Sequence, residues 1–234
     1  MKKFILAFIM FFIMTSASLA DSNVYITQSG AALDLDITID GNANAVGASN
    51  DRTLLTGANL DVDIDLIGAT NTITGDFIGT GESGSDDLKI NQTGSTNTTA
   101  LNVGSSASTD DVSIIENRVG SSGVTSYIIG STATVQDVSV TVDVVGDDID
   151  IALTENSSSS GSDKTTDIDI ATDSDDVDII VTHTGAGAHK TKLLCTGACG
   201  TSDFTFSQTG ANSTDVDLVV TNAAGSDVDI TITD

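Results

Sequence analysis

Apolar and polar residues alternate with a period of two along much of the chain. In Leu33-Asp34-Leu35-Asp36-Ile37-Thr38-Ile39 and Leu60-Asp61-Val62-Asp63-Ile64-Asp65-Leu66 every second side chain is aliphatic and the rest are Asp or Thr. Successive side chains of a strand point to opposite faces, so this spacing predicts strands with one face buried and one in water. Residues 138–144, 168–170, 177–181, 216–220 and 228–232 repeat the pattern, separated by Gly, Asn and Ser of turn chemistry.

The turns are periodic as well. Gly41, Gly68, Gly94, Gly120 and Gly146 stand 27, 26, 26 and 26 residues apart, and the series runs on through Asp173, Gly197 and Gly225. A second series, Gly30, Gly57, Gly79, Gly104, Gly130, Ser157, Gly185 and Gly210, advances in steps of 22 to 28 residues. A fixed period of this size marks a repeat architecture, here two strands and two turns per repeat.

One such rung cannot bury its apolar side alone, so rungs must stack at the strand spacing of about 4.8 Å. The expected fold is all-β: a β-solenoid of about eight strand-turn-strand rungs over residues 21–234. Two facing sheets would be filled by Leu35, Ile37, Ile39, Val62, Ile64, Leu66, Val140, Val142, Val144, Val177, Ile179, Val181, Phe204 and Phe206. An antiparallel β-sandwich is the alternative, but sandwiches need no constant period.

Composition adds a compartment. Lys2 and Lys3, an apolar stretch over residues 4–14 and Ser18-Leu19-Ala20 form the three parts of a secretory signal peptide over residues 1–20, with the mature chain starting at Asp21. The apolar stretch is too short for a spanning helix, which needs about 20 residues. The expectation is a secreted protein, extracellular or at the cell surface and not embedded in a membrane. The part beyond residue 20 has no Pro, which suits uninterrupted β-ladders.

Charge removes a partner class. Past the signal, 6 basic residues face 34 acidic ones, a formal charge of −28. Arg52, Lys89, Arg118, Lys164, Lys190 and Lys192 are scattered, whereas phosphate binding needs clustered cations, so no nucleic acid is expected as partner.

Polar residues interrupt the inward pattern at a recurring place, two before a turn glycine: Gln28 before Gly30, Gln92 before Gly94 and Gln208 before Gly210. Gln92-Thr93-Gly94-Ser95-Thr96-Asn97 resembles the Gln-x-Gly-x-x-Asn signature of curlin repeats. That resemblance implies a secreted subunit of a bacterial amyloid fibre, with strand-turn-strand rungs and buried Gln and Asn ladders. Gln28, Gln92, Asn97 and Gln208 are the polar-ladder residues it implies, and head-to-tail self-association the behaviour. Unpaired end rungs point the same way, because an uncapped strand edge templates another copy.

Aligned on their turn glycines, Asp36 and Asp63 are equivalent, with Lys89 next in line. Stacked carboxylates repel, and calcium, which takes several carboxylate oxygens, is the cation suited to such a ladder. No EF-hand loop or calcium-binding nonapeptide accompanies them. Cys195 and Cys199 flank a Gly-containing turn in an exported chain, which predicts a local disulfide. His183 and His189 lie near them, but the four match no common zinc spacing. His183, two before Gly185, stands where the glutamines stand and reads as a polar-ladder residue.

Neither a nucleophile elbow nor a phosphate-binding loop occurs, and no enzymatic activity is expected. The functional expectation is a structural subunit of a curli-like extracellular fibre or surface matrix, serving biofilm or adhesion, with a cell-envelope surface as a further partner. The alternative is a monomeric acidic solenoid acting as adhesin or calcium-binding module. Ice binding is a third reading, since flat Thr arrays order water, but Thr-x-Thr occurs only sporadically.

Overall fold

The structure is a computed structural model; it describes residues 22–47, 52–79, 86–104, 111–130, 137–156, 163–171, 174–196, 199–210, 213–221, 225 and 227–233. The signal segment and the turn positions Ser157, Asp173 and Gly197 lie outside them. Among the described residues every element is a strand.

In chain order the first strands are β1 (Ser22–Val24), β2 (Thr27–Ser29), β3 (Asp34–Asp40), β4 (Ala43–Val46), β5 (Thr53–Gly57), β6 (Asp61–Ile67) and β7 (Thr70–Gly79). The middle of the chain gives β8 (Asp86–Thr93), β9 (Thr96–Val103), β10 (Val112–Val119), β11 (Ser122–Ile129), β12 (Val138–Val145) and β13 (Asp148–Asn156). Then come β14 (Lys164–Ile170), β15 (Ser174–Thr184), β16 (Ala188–Cys195), β17 (Cys199–Thr209), β18 (Ser213–Val220) and β19 (Asp227–Thr233).

All pairings are parallel. Sheet I runs β1-β4-β7-β9-β11-β13-β15-β17-β19, with β2 and β5 continuing its first two levels; sheet II runs β3-β6-β8-β10-β12-β14-β16-β18. The chain alternates between the two sheets, and this winding is a parallel β-solenoid of about seven turns, close to the eight rungs expected. The parallel order excludes the antiparallel sandwich.

Each strand lies beside the equivalent strand of the next repeat. From β6 through β14 the step in sheet II is 26 residues, as in Val112 against Val138 and Val138 against Lys164. The turn glycines set that step. A Cβ on Gly94 or Gly120 would overlap the carbonyl oxygen of Gly68 or Gly94 in the repeat before, so only glycine lets successive turns close at strand spacing.

The interior is the space between the sheets. Of the core residues named from sequence, all but Leu35 are buried, and Leu35 packs against the core from the first rung of sheet II. Cys195 and Cys199 are joined by a disulfide, both fully buried, with Cα atoms 6.5 Å apart. The bridge closes the turn from β16 to β17 and leaves neither thiol for a metal. Among the described residues no helix is long and apolar enough to cross a membrane.

Candidate functional site: polar ladders and open ends

Three features stand out from the aliphatic stack: an asparagine ladder, two polar clusters inside the core, and the ends.

The ladder rises through the turns of sheet I. Asn44 Nδ2 donates to Asn71 Oδ1 at 3.0 Å, and Asn71 Nδ2 to Asn97 Oδ1 at 2.9 Å. The same amides also donate to the carbonyls of Ile67, Thr93 and Val119 at 2.9 to 3.1 Å. All three asparagines are buried, so these bonds satisfy amide groups that burial would otherwise leave costly, while Asn44 Oδ1 at the start of the ladder has no partner among the described residues. Asn97 was expected in such a ladder; Asn44 and Asn71 were missed. Their signal is Gly-x-x-Asn, in Gly41 to Asn44 and Gly68 to Asn71, without the preceding glutamine.

The ladder stops at Gly123, the register partner of Asn97. A Cβ there would sit 2.5 Å from Arg118 Nε, so the guanidinium occupies the volume the next side chain would take. Arg118 Nη1 donates to Thr125 Oγ1 at 2.8 Å, and Thr125 donates in turn to Glu116 at 3.0 Å. Tyr127 and Thr99 donate to the same carboxylate at 2.8 and 2.9 Å. Gln92 joins through Thr99, at 3.2 Å, and donates to the Thr98 carbonyl. Burial lowers the Arg118 pKa while Glu116 supports its charge, and burial with Glu116 beside it holds the Tyr127 phenol well above its usual range.

A second cluster lies further along. Glu155, His183 and Gln208 are register partners on β13, β15 and β17, all buried. Thr166 Oγ1 lies 3.2 Å from Glu155 Oε1 and 3.1 Å from His183 Nε2, and that nitrogen is 3.3 Å from Glu155 Oε2. Burial pushes the Glu155 carboxyl up to about 8, with Thr166 and Lys164 pulling the other way. Burial, aided by His189 and Lys164, pushes His183 down to about 3. Near neutrality the pair is therefore carboxylic acid and neutral imidazole. Lys164 Nζ is 3.4 Å from His189 Nε2, and Gln208 donates to Thr191 at 3.1 Å.

The glutamines expected to form one ladder are not stacked. Gln92 is in sheet II, and Gln28 and Gln208 share one row of sheet I but are separated along it by Leu55, Phe77, Val103, Ile129, Glu155 and His183. Gln28 is exposed on the first rung. The polar residue before the glycine marks an inward row in both sheets, so the shared spacing did not imply a shared row. His183 does fall in register with Gln208.

Asp36 pairs with Asp63, and Asp63 with Lys89 at 3.8 Å, in the order the sequence alignment implies. In the neighbouring row Asp34, Asp61 and Asp87 are consecutive, and the Asp61 pKa is raised by desolvation and then by Asp34, Asp63, Asp87 and Asp36. Among the described residues no group of three or more His, Cys, Asp or Glu is placed to hold a metal ion.

The ends are asymmetric. Two sheet II side chains each meet two levels of sheet I: Glu116 of β10 contacts Thr99 of β9 and Thr125 of β11, and Thr166 of β14 contacts β13 and β15. Sheet II is thus nested between levels of sheet I, and both ends of the stack are sheet I strands, β1–β2 and β19. On β19 the inward residues Val228, Ile230 and Ile232 are 41, 47 and 50 % exposed, whereas their partners Phe204 and Phe206 are 1 % exposed.

These features define an all-β repeat protein, a two-sheet parallel solenoid. No protein-family model, curated protein or solved structure matches the chain.

Proposed function

We propose that this chain is a secreted structural protein, the subunit of an extracellular curli-like fibre or surface matrix that assembles head to tail and has no catalytic role. The observation that carries the reading is the fit between the two ends. Beyond β19 the rows of sheet I continue onto β1 and β2 of a second copy, because residues 22–29 and 227–233 share the two-residue spacing without insertion. Val228 then lies beside Val24 and Ile230 beside Ile26, which removes exposed aliphatic surface worth about 25 cal/mol per Å² from water. Outward, Asp227 meets Asn23 and Asp229 meets Tyr25, so no carboxylates face each other across this seam. A parallel edge with unpaired amides and carbonyls completes the attraction.

The resemblance of residues 92–97 to curlin repeats and the buried Asn44-Asn71-Asn97 ladder support the same reading. The test is sedimentation and electron microscopy of the chain from Asp21 across a concentration series. Fibres of solenoid width are expected, with loss of assembly in Ile230→Asp. A parent protein that stays monomeric at high concentration overturns the proposal.

A further inference from the structure

Because sheet I extends one strand beyond sheet II, the C-terminal end of the stack is a ledge. Its floor is the inward face of β19, with Val228, Ile230 and Ile232 about half exposed. Its side wall is the free edge of β18, which pairs with β16 on one side and with nothing on the other among the described residues. The ledge thus offers hydrogen-bonding groups along one side and aliphatic groups beneath.

The rim has a sign. Asp215 and Asp217 point outward from β18, in register with Lys190 and Lys192 of β16. Lys192 directs its ammonium to Asp167 on its far side, at 2.9 Å. On that occupied side β16 shows what suits β18: lysines at alternate outward positions, and Thr191, Leu193 and Cys195 turned inward and buried. The opposite edge of β18 presents the same two carboxylates and the same alternation.

We propose that this ledge binds an extended peptide segment of another protein, added as a parallel strand to β18, with Lys or Arg at alternate positions and aliphatic residues between them. The bases pair with Asp215 and Asp217, and the aliphatic residues cover Val228 and Ile230. This is strand addition to a sheet edge, in which the ladder supplies affinity and the alternating side chains supply selection. The segment needs no second copy of this chain. In a head-to-tail fibre it would fill the strand that sheet II lacks at each seam.

The test uses the monomeric fraction of the chain from Asp21, which contains every described strand. Three labelled heptapeptides serve as probes in fluorescence anisotropy: Val-Lys-Val-Lys-Leu-Thr-Val, its Lys-to-Glu counterpart, and Val-Val-Lys-Lys-Leu-Thr-Val, which keeps the charge but loses the alternation. Saturable binding of the first is expected, at least tenfold tighter than either other probe. Asp215→Ser with Asp217→Ser, and separately Ile230→Asp, should each weaken it at least tenfold. Equal binding of the two lysine peptides, no binding of the first, or binding unaffected by these substitutions overturns the proposal. Since binding is read on monomers, failure to form fibres sinks the assembly reading alone, and fibres without peptide selectivity sink this one alone.

Discussion

Glu155 Oε2 lies 3.3 Å from His183 Nε2 inside the core, with both side chains fully buried. Neither charge is tolerated there: the acid holds its proton to about pH 8 and the imidazole stays neutral to about pH 3. The signs oppose. Glu155 binds its proton more tightly folded than unfolded, so its contribution is complete below its ordinary 4.5 and is lost as pH rises through 8. His183 binds its proton less tightly folded, so its contribution is complete above 6.5 and is lost as pH falls through 3. The pair predicts a stability plateau between 4.5 and 6.5 with a falling limb on each side. In urea melts across this range Glu155→Gln should flatten the alkaline limb, and His183→Gln the acid one. Unchanged limbs in both variants would show that neither group's titration is linked to folding.

The glycine column gives a steric prediction. Gly120→Ala places a Cβ against the carbonyl of Gly94 in the repeat below, and nothing flexible can yield. Separating two rungs should cost more than about 3 kcal/mol, in the upper tail for point substitutions. Gly225→Ala has no atom within 4 Å and carries only the strain of a positive φ, so its loss should stay near 1 kcal/mol. Chemical denaturation of the two variants compares them directly.

Asn71 accepts from Asn44 and donates to Asn97, so it is the middle of the ladder. Asn71→Ala strands buried groups on both neighbours and should cost roughly 2–4 kcal/mol. Asn71→Asp keeps the shape but removes both donors and buries a charge, so it should cost more. Equal stability of the two variants would mean that the amide hydrogen bonds contribute little.

The Cys195–Cys199 bridge closes a short loop. Loop-closure entropy for so few residues is about 2 kcal/mol. Reduction should lower the thermal midpoint by a few degrees without melting the stack; complete unfolding on reduction would show that the bridge holds the last rungs in place.

How far the sequence speaks depends on what the period encodes. Glycines 26 residues apart reflect a steric requirement repeated at each level, so rung number, strand positions and the aliphatic interior were legible. Lys89 could be placed beside Asp63 for the same reason. Row membership was not legible for the glutamines, because inward rows of both sheets end two residues before a glycine and alternation alone does not tell them apart. The clusters around Glu116 and Glu155 were hidden as well. Thr99, Thr125 and Thr166 have the spacing of core residues but are as polar as surface ones, and their meeting depends on which strands face each other across the interior.

In the proposed fibre, copies join through sheet I, β19 against β1–β2. Single-cysteine proteins test it, with Cys195 and Cys199 replaced by Ser in both. At the proposed seam residues 229 and 25 are outward register neighbours, about 4.8 Å apart by strand spacing and within reach of a disulfide. Mixing Asp229→Cys with Tyr25→Cys under mild oxidation should give a cross-linked heterodimer in large excess over either homodimer. Homodimers in equal amount, or no cross-link from protein already in fibres, would contradict the head-to-tail arrangement.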